Sequence, residues 1–208
     1  MNFIETMNWR YSVKRYKSEK VPNDKIETIL EAIRLAPTSM GLQAMKVFLI
    51  KDEQLLKEIS EKSCAQAQIK ECSHLILLAA REDMTDKELN DFIHRHIDTR
   101  NVNEESLSGL KTMASGVQKK DKSEFLEWSM RQTYIVLGIA LAAAASEKVD
   151  ATPMKGFNSQ AMDDIMKLKG KGLTSSLLIA LGYRDEENDP YANSPKVRKT
   201  KEEFIEII

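Results

Sequence analysis

The 208-residue sequence predicts an α+β fold, a small mixed β-sheet flanked by helices, on three observations. Three short apolar runs rich in β-formers stand far apart: "MKVFLI" (Met45 to Ile50), "SHLILLAA" (Ser73 to Ala80) and "LTSSLLIALGY" (Leu173 to Tyr183). Stretches of helical spacing separate them, giving the order helices, strand, helix, strand, helices, strand. The longest helical stretch, Glu124 to about Lys148, is apolar on nearly every face in its middle, so it should be buried on all sides.

Taken in order, "MNFIETMNWR" reads as a short amphipathic helix with Phe3, Ile4 and Met7 on one face, and it is too polar for a secretory signal. Pro22-Asn23-Asp24 starts a second helix, with apolar Ile26, Ile29, Leu30, Ile33 and Leu35, that must stop ahead of Pro37. "MKVFLI" is then expected as a core strand, "DEQLLKEIS" as a short helix, and "SHLILLAA" as a buried strand. Polar sequence from Asp86 to about Ser115 is assigned a helix or two on the surface, followed by a loop containing "GVQKKDKS". After the long helix, Pro153 and Gly156 mark a turn, "SQAMDDIMKLK" resumes helical spacing, and the third strand follows. The closing Phe204, Ile205, Ile207 and Ile208 need a packing partner, and together with the all-apolar helix they point to a dimer.

Composition narrows the function. One domain, residues 1–208, is expected at this length. With 31 Lys+Arg against 32 Asp+Glu, no overall field recruits nucleic acid or an anionic membrane. The apolar run Tyr134 to Ala145 falls short of the roughly 20 residues that a membrane span requires. Cys64 and Cys72, the two cysteines, suit free thiols in a reducing cytoplasm. No G-x-G-x-x-G turn, phosphate loop or G-x-S-x-G elbow occurs. His94 and His96, two apart on a helix, point in different directions, so a metal pair is not expected.

"RYSVKRY" carries Arg10, Ser12 and Lys14 at a spacing of two, which in extended chain puts a guanidinium, a hydroxyl and an ammonium on one side. Near the other end, "SPKVRKT" repeats the device with Lys196 and Arg198. Either pair alone reads better as a solvated basic turn. If the termini meet, the two form one phosphate clamp. "APTSMGLQ" (Ala36 to Gln43) and "TPMKGF" (Thr152 to Phe157) add turns whose hydroxyls and glycines could approach a flat ligand closely. Together these loops suggest a phosphorylated planar cofactor.

In this order and separation the motifs resemble the flavin-dependent nitroreductases, in particular the oxygen-insensitive NAD(P)H nitroreductase branch. "RYSVKRY" is similar to the family's R-x-S-x-K, "APTSMGLQ" to its A-P-S-S-x-N-x-Q turn, "ATPMKGF" to a P-x-E-G-F turn and "PKVR" to a C-terminal K-x-R. The resemblance implies a nitroreductase-like, intertwined homodimer that binds FMN, takes electrons from NADH or NADPH and passes them to a small planar acceptor, a nitro compound or quinone, by ping-pong hydride transfer through flavin N5. It implies that Arg10, Tyr11, Ser12 and Lys14 contact the cofactor, Lys14 giving electrostatic support near N1 and O2, and that Lys196 and Arg198 complete the phosphate site. Thr38, Ser39 and Gly41 would come from the other subunit, Gln68 would point toward the ring, and backbone of Pro153, Met154, Lys155 and Gly156 would line it. The chain departs from the family pattern where Gly41 replaces Asn, Ala44-Met45 replaces Pro-Trp and Lys155 replaces Glu. These departures leave a non-catalytic flavin-binding or sensing dimer as the alternative.

Overall fold

Four extended runs form one sheet in the computed structural model, which describes residues 2–208. They are β1 (Met45–Ile50), β2 (His74–Arg81), β3 (Asp150–Met154) and β4 (Leu173–Gly182), in the spatial order β1-β2-β4-β3. Nine helices surround them among the described residues: α1 (Phe3–Trp9), α2 (Asn23–Leu35), α3 (Glu53–Lys62), α4 (Ala67–Glu71), α5 (Asp86–Arg100), α6 (Ser108–Gln118), α7 (Lys122–Ser146), α8 (Ser159–Met166) and α9 (Lys201–Phe204).

Central strands β2 and β4 carry the unbroken apolar runs Leu75 to Ala80 and Leu177 to Leu181 because both of their faces are covered. Leu75, Leu77 and Ala79 of β2, with Leu178 and Ala180 of β4, turn to one side and pack with Leu56 and Ile59 of α3, Ile69 of α4 and Met162 of α8. Ile76, Leu78, Leu177, Ile179 and Leu181 turn to the other, against Ile26, Ile29 and Ile33 of α2 and Val136, Ala140 and Ala144 of α7. This period of two is that of a pleated strand, and each fully buried Leu or Ile contributes about 1.5–3 kcal/mol. A third cluster, with Phe92, Leu107, Ala114 and Phe125, joins α5, α6 and the first turn of α7 beyond one end of the sheet.

The α+β architecture is as the sequence predicts, with four differences. Every pairing in the sheet is antiparallel, rather than mixed. The "TPMKGF" turn begins as a strand, β3, in which Pro153 pairs with Ile179. Proline is tolerated there because β3 is an edge, where a missing N–H can face away from the ladder. β1 is the opposite edge and is only partly buried, rather than a core strand. The expected "GVQKKDKS" loop is mostly helical, α6 running to Gln118 and α7 starting at Lys122. α7 buries Phe125, Ser129, Gln132, Thr133, Val136 and Ala140, while Tyr134 is 51 % and Ile135 41 % exposed, in keeping with the expectation that one chain alone does not cover so apolar a helix. Phe3 and Ile4 of α1 and the tail residues Phe204, Ile205, Ile207 and Ile208 are also exposed.

The two ends meet beside β4. Tyr16 bridges to Arg184, the Lys17 N–H donates to the Tyr183 carbonyl (2.9 Å) and the Asp185 N–H to the Arg15 carbonyl (3.0 Å). Tyr16 inserts its ring under this junction. Its hydroxyl lies 2.9 Å from both the Ala180 carbonyl and Thr152 Oγ1, and Thr152 Oγ1 in turn donates to the Val13 carbonyl at 2.7 Å. Gly182 is needed where the strand passes that ring, because a Cβ there would sit 2.6 Å from Tyr16 Cδ1.

Candidate functional site

The chain ends enclose a cavity of about 380 Å³ lined by Asn8 to Ser12 on one side, Arg184 beneath, and Tyr191 to Arg198 on the other. Lys196 Nζ donates to the Arg10 carbonyl, so the two basic motifs are joined directly. Arg184 has its own counter-ion. It clasps Asp150 through Nε and Nη2 (3.0 and 2.6 Å) while its guanidinium lies over the rings of Trp9 (4.3 Å) and Tyr11 (4.6 Å). Burial lowers the Arg184 pKa, but the hydrogen bonds and charge of Asp150 outweigh it and hold the pKa above the usual arginine value.

Arg10, Lys196 and Arg198 have no such carboxylate. Arg10 Nε is buried without a hydrogen-bond partner. Burial, then the charge of Arg198, lowers the Arg10 pKa, and burial, then Arg10, Arg198 and Arg184, lowers that of Lys196. Three cations held against mutual repulsion around one orphaned donor have the chemistry that a multi-oxygen anion would satisfy, since a phosphate would supply both the missing acceptors and the missing charge.

The segment carrying Arg10, Ser12 and Lys14 is extended because it is pinned at its carbonyls and amides. The Val13 carbonyl accepts from Thr152 Oγ1 and from Gln68 Nε2 (3.3 Å), and the Val13 side chain is fully buried. Asp189, itself only 6 % exposed, accepts the Lys14 N–H at 2.6 Å and the Tyr191 N–H at 2.8 Å, tying the segment to the loop that leads to Lys196. Arg15 faces away and pairs with Glu71 at 2.9 Å.

The expected site residues therefore fall into three groups. Arg10, Tyr11, Ser12, Lys196 and Arg198 line the one cavity. Lys14, Gln68, Pro153, Met154, Lys155 and Gly156 do not line it: Gln68 is buried as a brace under Val13, and β3 meets the segment at Thr152, which bonds the Val13 carbonyl. Lys155 and Gly156 are exposed where β3 ends, and the Gly156 N–H donates to no described group while its carbonyl accepts from Gln66 at 3.5 Å. Thr38, Ser39 and Gly41 are elsewhere, beside β1. Their turn is held by Gln43 N–H to Thr38 Oγ1 (3.2 Å) and Ser39 N–H to Gln132 Oε1 (2.8 Å), with Met40, Gly41 and Gln43 at positive φ.

Three contributors are additional to the motifs, Arg184, Asp150 and Asp189, and Thr152, which opens the "TPMKGF" turn, serves as a support for Val13. Only Arg184 and Asp189 carried a sequence signal, as a charge directly after a strand and an acid before Pro190 in the loop between the third strand and "PKVR".

Residues 7–183 match the family described as the nitroreductase family. A Staphylococcus aureus protein (strain bovine RF122 / ET3-1) provisionally named an NAD(P)H nitroreductase is 31% identical over 217 aligned positions, covering 99% of this chain and 95% of that relative. A Bacillus subtilis protein with the same provisional name is 29% identical over 218 positions, covering 99% and 96%. Among solved structures, a nitroreductase from Exiguobacterium sibiricum in complex with FMN superposes with a TM-score of 0.84 at 16% identity, covering 100% and 98% of the two chains. An NAD(P)H:FMN oxidoreductase from Staphylococcus epidermidis, also provisionally named, gives 0.87 at 16% identity, covering 100% and 97%.

Proposed function

The chain belongs to the nitroreductase family, and from that premise we propose that it is an FMN-dependent NAD(P)H oxidoreductase that reduces nitro compounds, quinones or similar planar acceptors. The observation that carries this reading is the orphaned Arg10 Nε between Lys196 and Arg198. These residues fit the FMN phosphate, which would occupy their vacant hydrogen-bonding capacity. Ser12 would hold the ribityl chain. The free Gly156 N–H at the end of β3 would donate to the flavin ring at N5. Lys14, held by Asp189 through its backbone, is left free to bring its ammonium to the pyrimidine edge, where a cation offsets developing negative charge. FMN held by these residues would supply the redox chemistry, hydride exchange between NADH or NADPH and the acceptor in a ping-pong cycle.

The working unit on this reading is a homodimer. Tyr134 and Ile135 of α7, Phe3 and Ile4 of α1, and the tail are apolar surface that a second copy would cover. The open edge of β1, beside a groove of about 600 Å³ lined by Leu30, Ile33, Met45, Val47 and Leu49, offers unpaired backbone groups to the partner's tail. Thr38, Ser39 and Gly41, which lie apart from the cavity of their own chain, would then reach the flavin of the other. No described helix is long and apolar enough to cross a membrane, and pyridine-nucleotide donors with two free buried thiols suit the cytoplasm.

The test is the visible spectrum of the purified protein before and after anaerobic NADH or NADPH. Bound flavin that bleaches, and recovers with menadione or a nitroaromatic, is expected. Flavin that stays oxidised with both donors overturns the reading and leaves the non-catalytic flavin-binding dimer.

A further inference from the structure

A second cationic cavity, distinct from the phosphate clamp, opens on one face of α5. It measures about 200 Å³ and is lined by Gly41, Gln43, Phe92, Arg95, His96, Thr99 and Arg100. The α-helical repeat explains the grouping, since Arg95 and Thr99, like His96 and Arg100, are four apart and so stack on adjacent turns. Phe92 forms the floor, its ring edge-on to His96 at 4.7 Å between centroids.

The charge of this cavity is unbalanced. Arg95 and Arg100 make no ion pair and no side-chain hydrogen bond among the described residues. Asp91, on the same helix, hydrogen-bonds Lys87 at 2.6 Å and shares its charge between Lys87 and Arg95, leaving Arg100 with no carboxylate partner. Burial, then the charges of Arg100 and Arg95, lowers the His96 pKa. Two forked guanidinium groups, a hydroxyl and an imidazole around a small depression match the equatorial oxygens of a phosphate monoester.

Position then narrows the ligand. Gly41 lies in the turn that, in the dimer proposed above, faces the flavin of the second copy, so a molecule bound to that flavin passes this cavity. Of the two candidate donors, only NADPH carries a phosphate monoester, on its adenosine ribose. We propose that Arg95 and Arg100, with Thr99 and His96, bind the 2′-phosphate of NADPH and make the protein prefer it over NADH. This inference rests on the flavin-dependent oxidoreductase reading for the route by which the donor arrives.

The experiment has two arms. Equilibrium titration of the flavin-loaded dimer compares NADP+ with NAD+, and steady-state kinetics gives the ratio of kcat/KM for NADPH to that for NADH. Both are repeated on Arg95→Gln/Arg100→Gln. Expected are about tenfold or tighter binding of NADP+ and a ratio of about 10 or more, both collapsing toward 1 in the double variant, as for loss of charge-assisted hydrogen bonds. Equal binding of NADP+ and NAD+, a ratio that the double variant leaves unchanged, or an equal loss with both donors would overturn the proposal. Arg95 also borders the β1 groove, and a carboxylate of the partner's tail already occupying the cluster would produce the first of these refuting results. If neither donor reduces the flavin, the oxidoreductase reading fails by itself, and the binding arm still decides whether the cavity recognises the phosphate.

Discussion

Replacing Asp189 by alanine removes the group that ties the two ends of the chain together. Its carboxylate accepts the Lys14 N–H at 2.6 Å, the Tyr191 N–H at 2.8 Å and, more weakly, the Arg15 N–H at 3.4 Å. Hydrogen bonds to a charged acceptor are worth about 1.5–3 kcal/mol each, and water entering the space left by the truncation re-solvates part of what is freed. Counting the two short bonds at the lower end gives a loss of about 3 kcal/mol. For a chain of this size that lowers Tm by about 6–12 °C. FMN affinity should fall as well, because Lys14 and the arm bearing Lys196 lose their common anchor. Asp189→Asn, which keeps the shape and one acceptor oxygen, should lie between. Urea unfolding of the flavin-free protein, paired with FMN fluorescence titration, measures both effects. An Asp189→Ala protein within about 0.5 kcal/mol of wild type and with unchanged FMN affinity would show that the ends do not depend on this carboxylate.

Other perturbations read the same junction. Gly182→Ala drives a methyl group into the hydrogen-bonded Tyr16 ring and should cost about 1–3 kcal/mol in denaturant unfolding. Asp150→Ala leaves the Arg184 guanidinium enclosed between Trp9 and Tyr11 without its carboxylate, and about 3–5 kcal/mol of stability should go with it. Burial pushes the Cys72 thiol up to about 12 from an ordinary 9.0. Its contribution to stability is therefore whole below pH 9 and fades as pH rises toward 12, a decline that Cys72→Ala should lessen. Iodoacetamide at pH 8 should label Cys72 only after unfolding.

Much of the fold could be read from local pattern. Met45 to Ile50 and the helix ending at Leu35 before Pro37 coincide with the observed elements because β-formers and proline act locally. β3 was hidden because Pro153 argues against a strand unless the strand is known to be an edge, and edge position is a property of the assembled sheet. For the same reason β1 could not be distinguished from a core strand. The polar side chains that line the cavity between the termini were legible, since Arg10, Ser12, Lys196 and Arg198 declare themselves by type and spacing. Their supports were not. Asp150, Asp189 and Thr152 act across 34, 175 and 139 residues of sequence, and no local pattern encodes such a pairing. Lys14 and Gln68 show the boundary. Their positions came from the motif, but that Lys14 is held by its backbone and Gln68 buried beneath Val13 is a consequence of packing.

The joining of the two termini into an anion receptor is tested most directly by FMN titration of the Lys196→Ala/Arg198→Ala double variant against wild type. Both side chains are exposed and belong to no core cluster, the loss being the Lys196 bond to the Arg10 carbonyl, so the unfolding free energy should fall by no more than about 0.5–1.5 kcal/mol. Stoichiometric FMN binding by wild type and affinity lower by about a hundredfold in the double variant are expected, the equivalent of two charge-assisted hydrogen bonds. Equal FMN affinity in the two proteins would mean that the cofactor phosphate sits elsewhere.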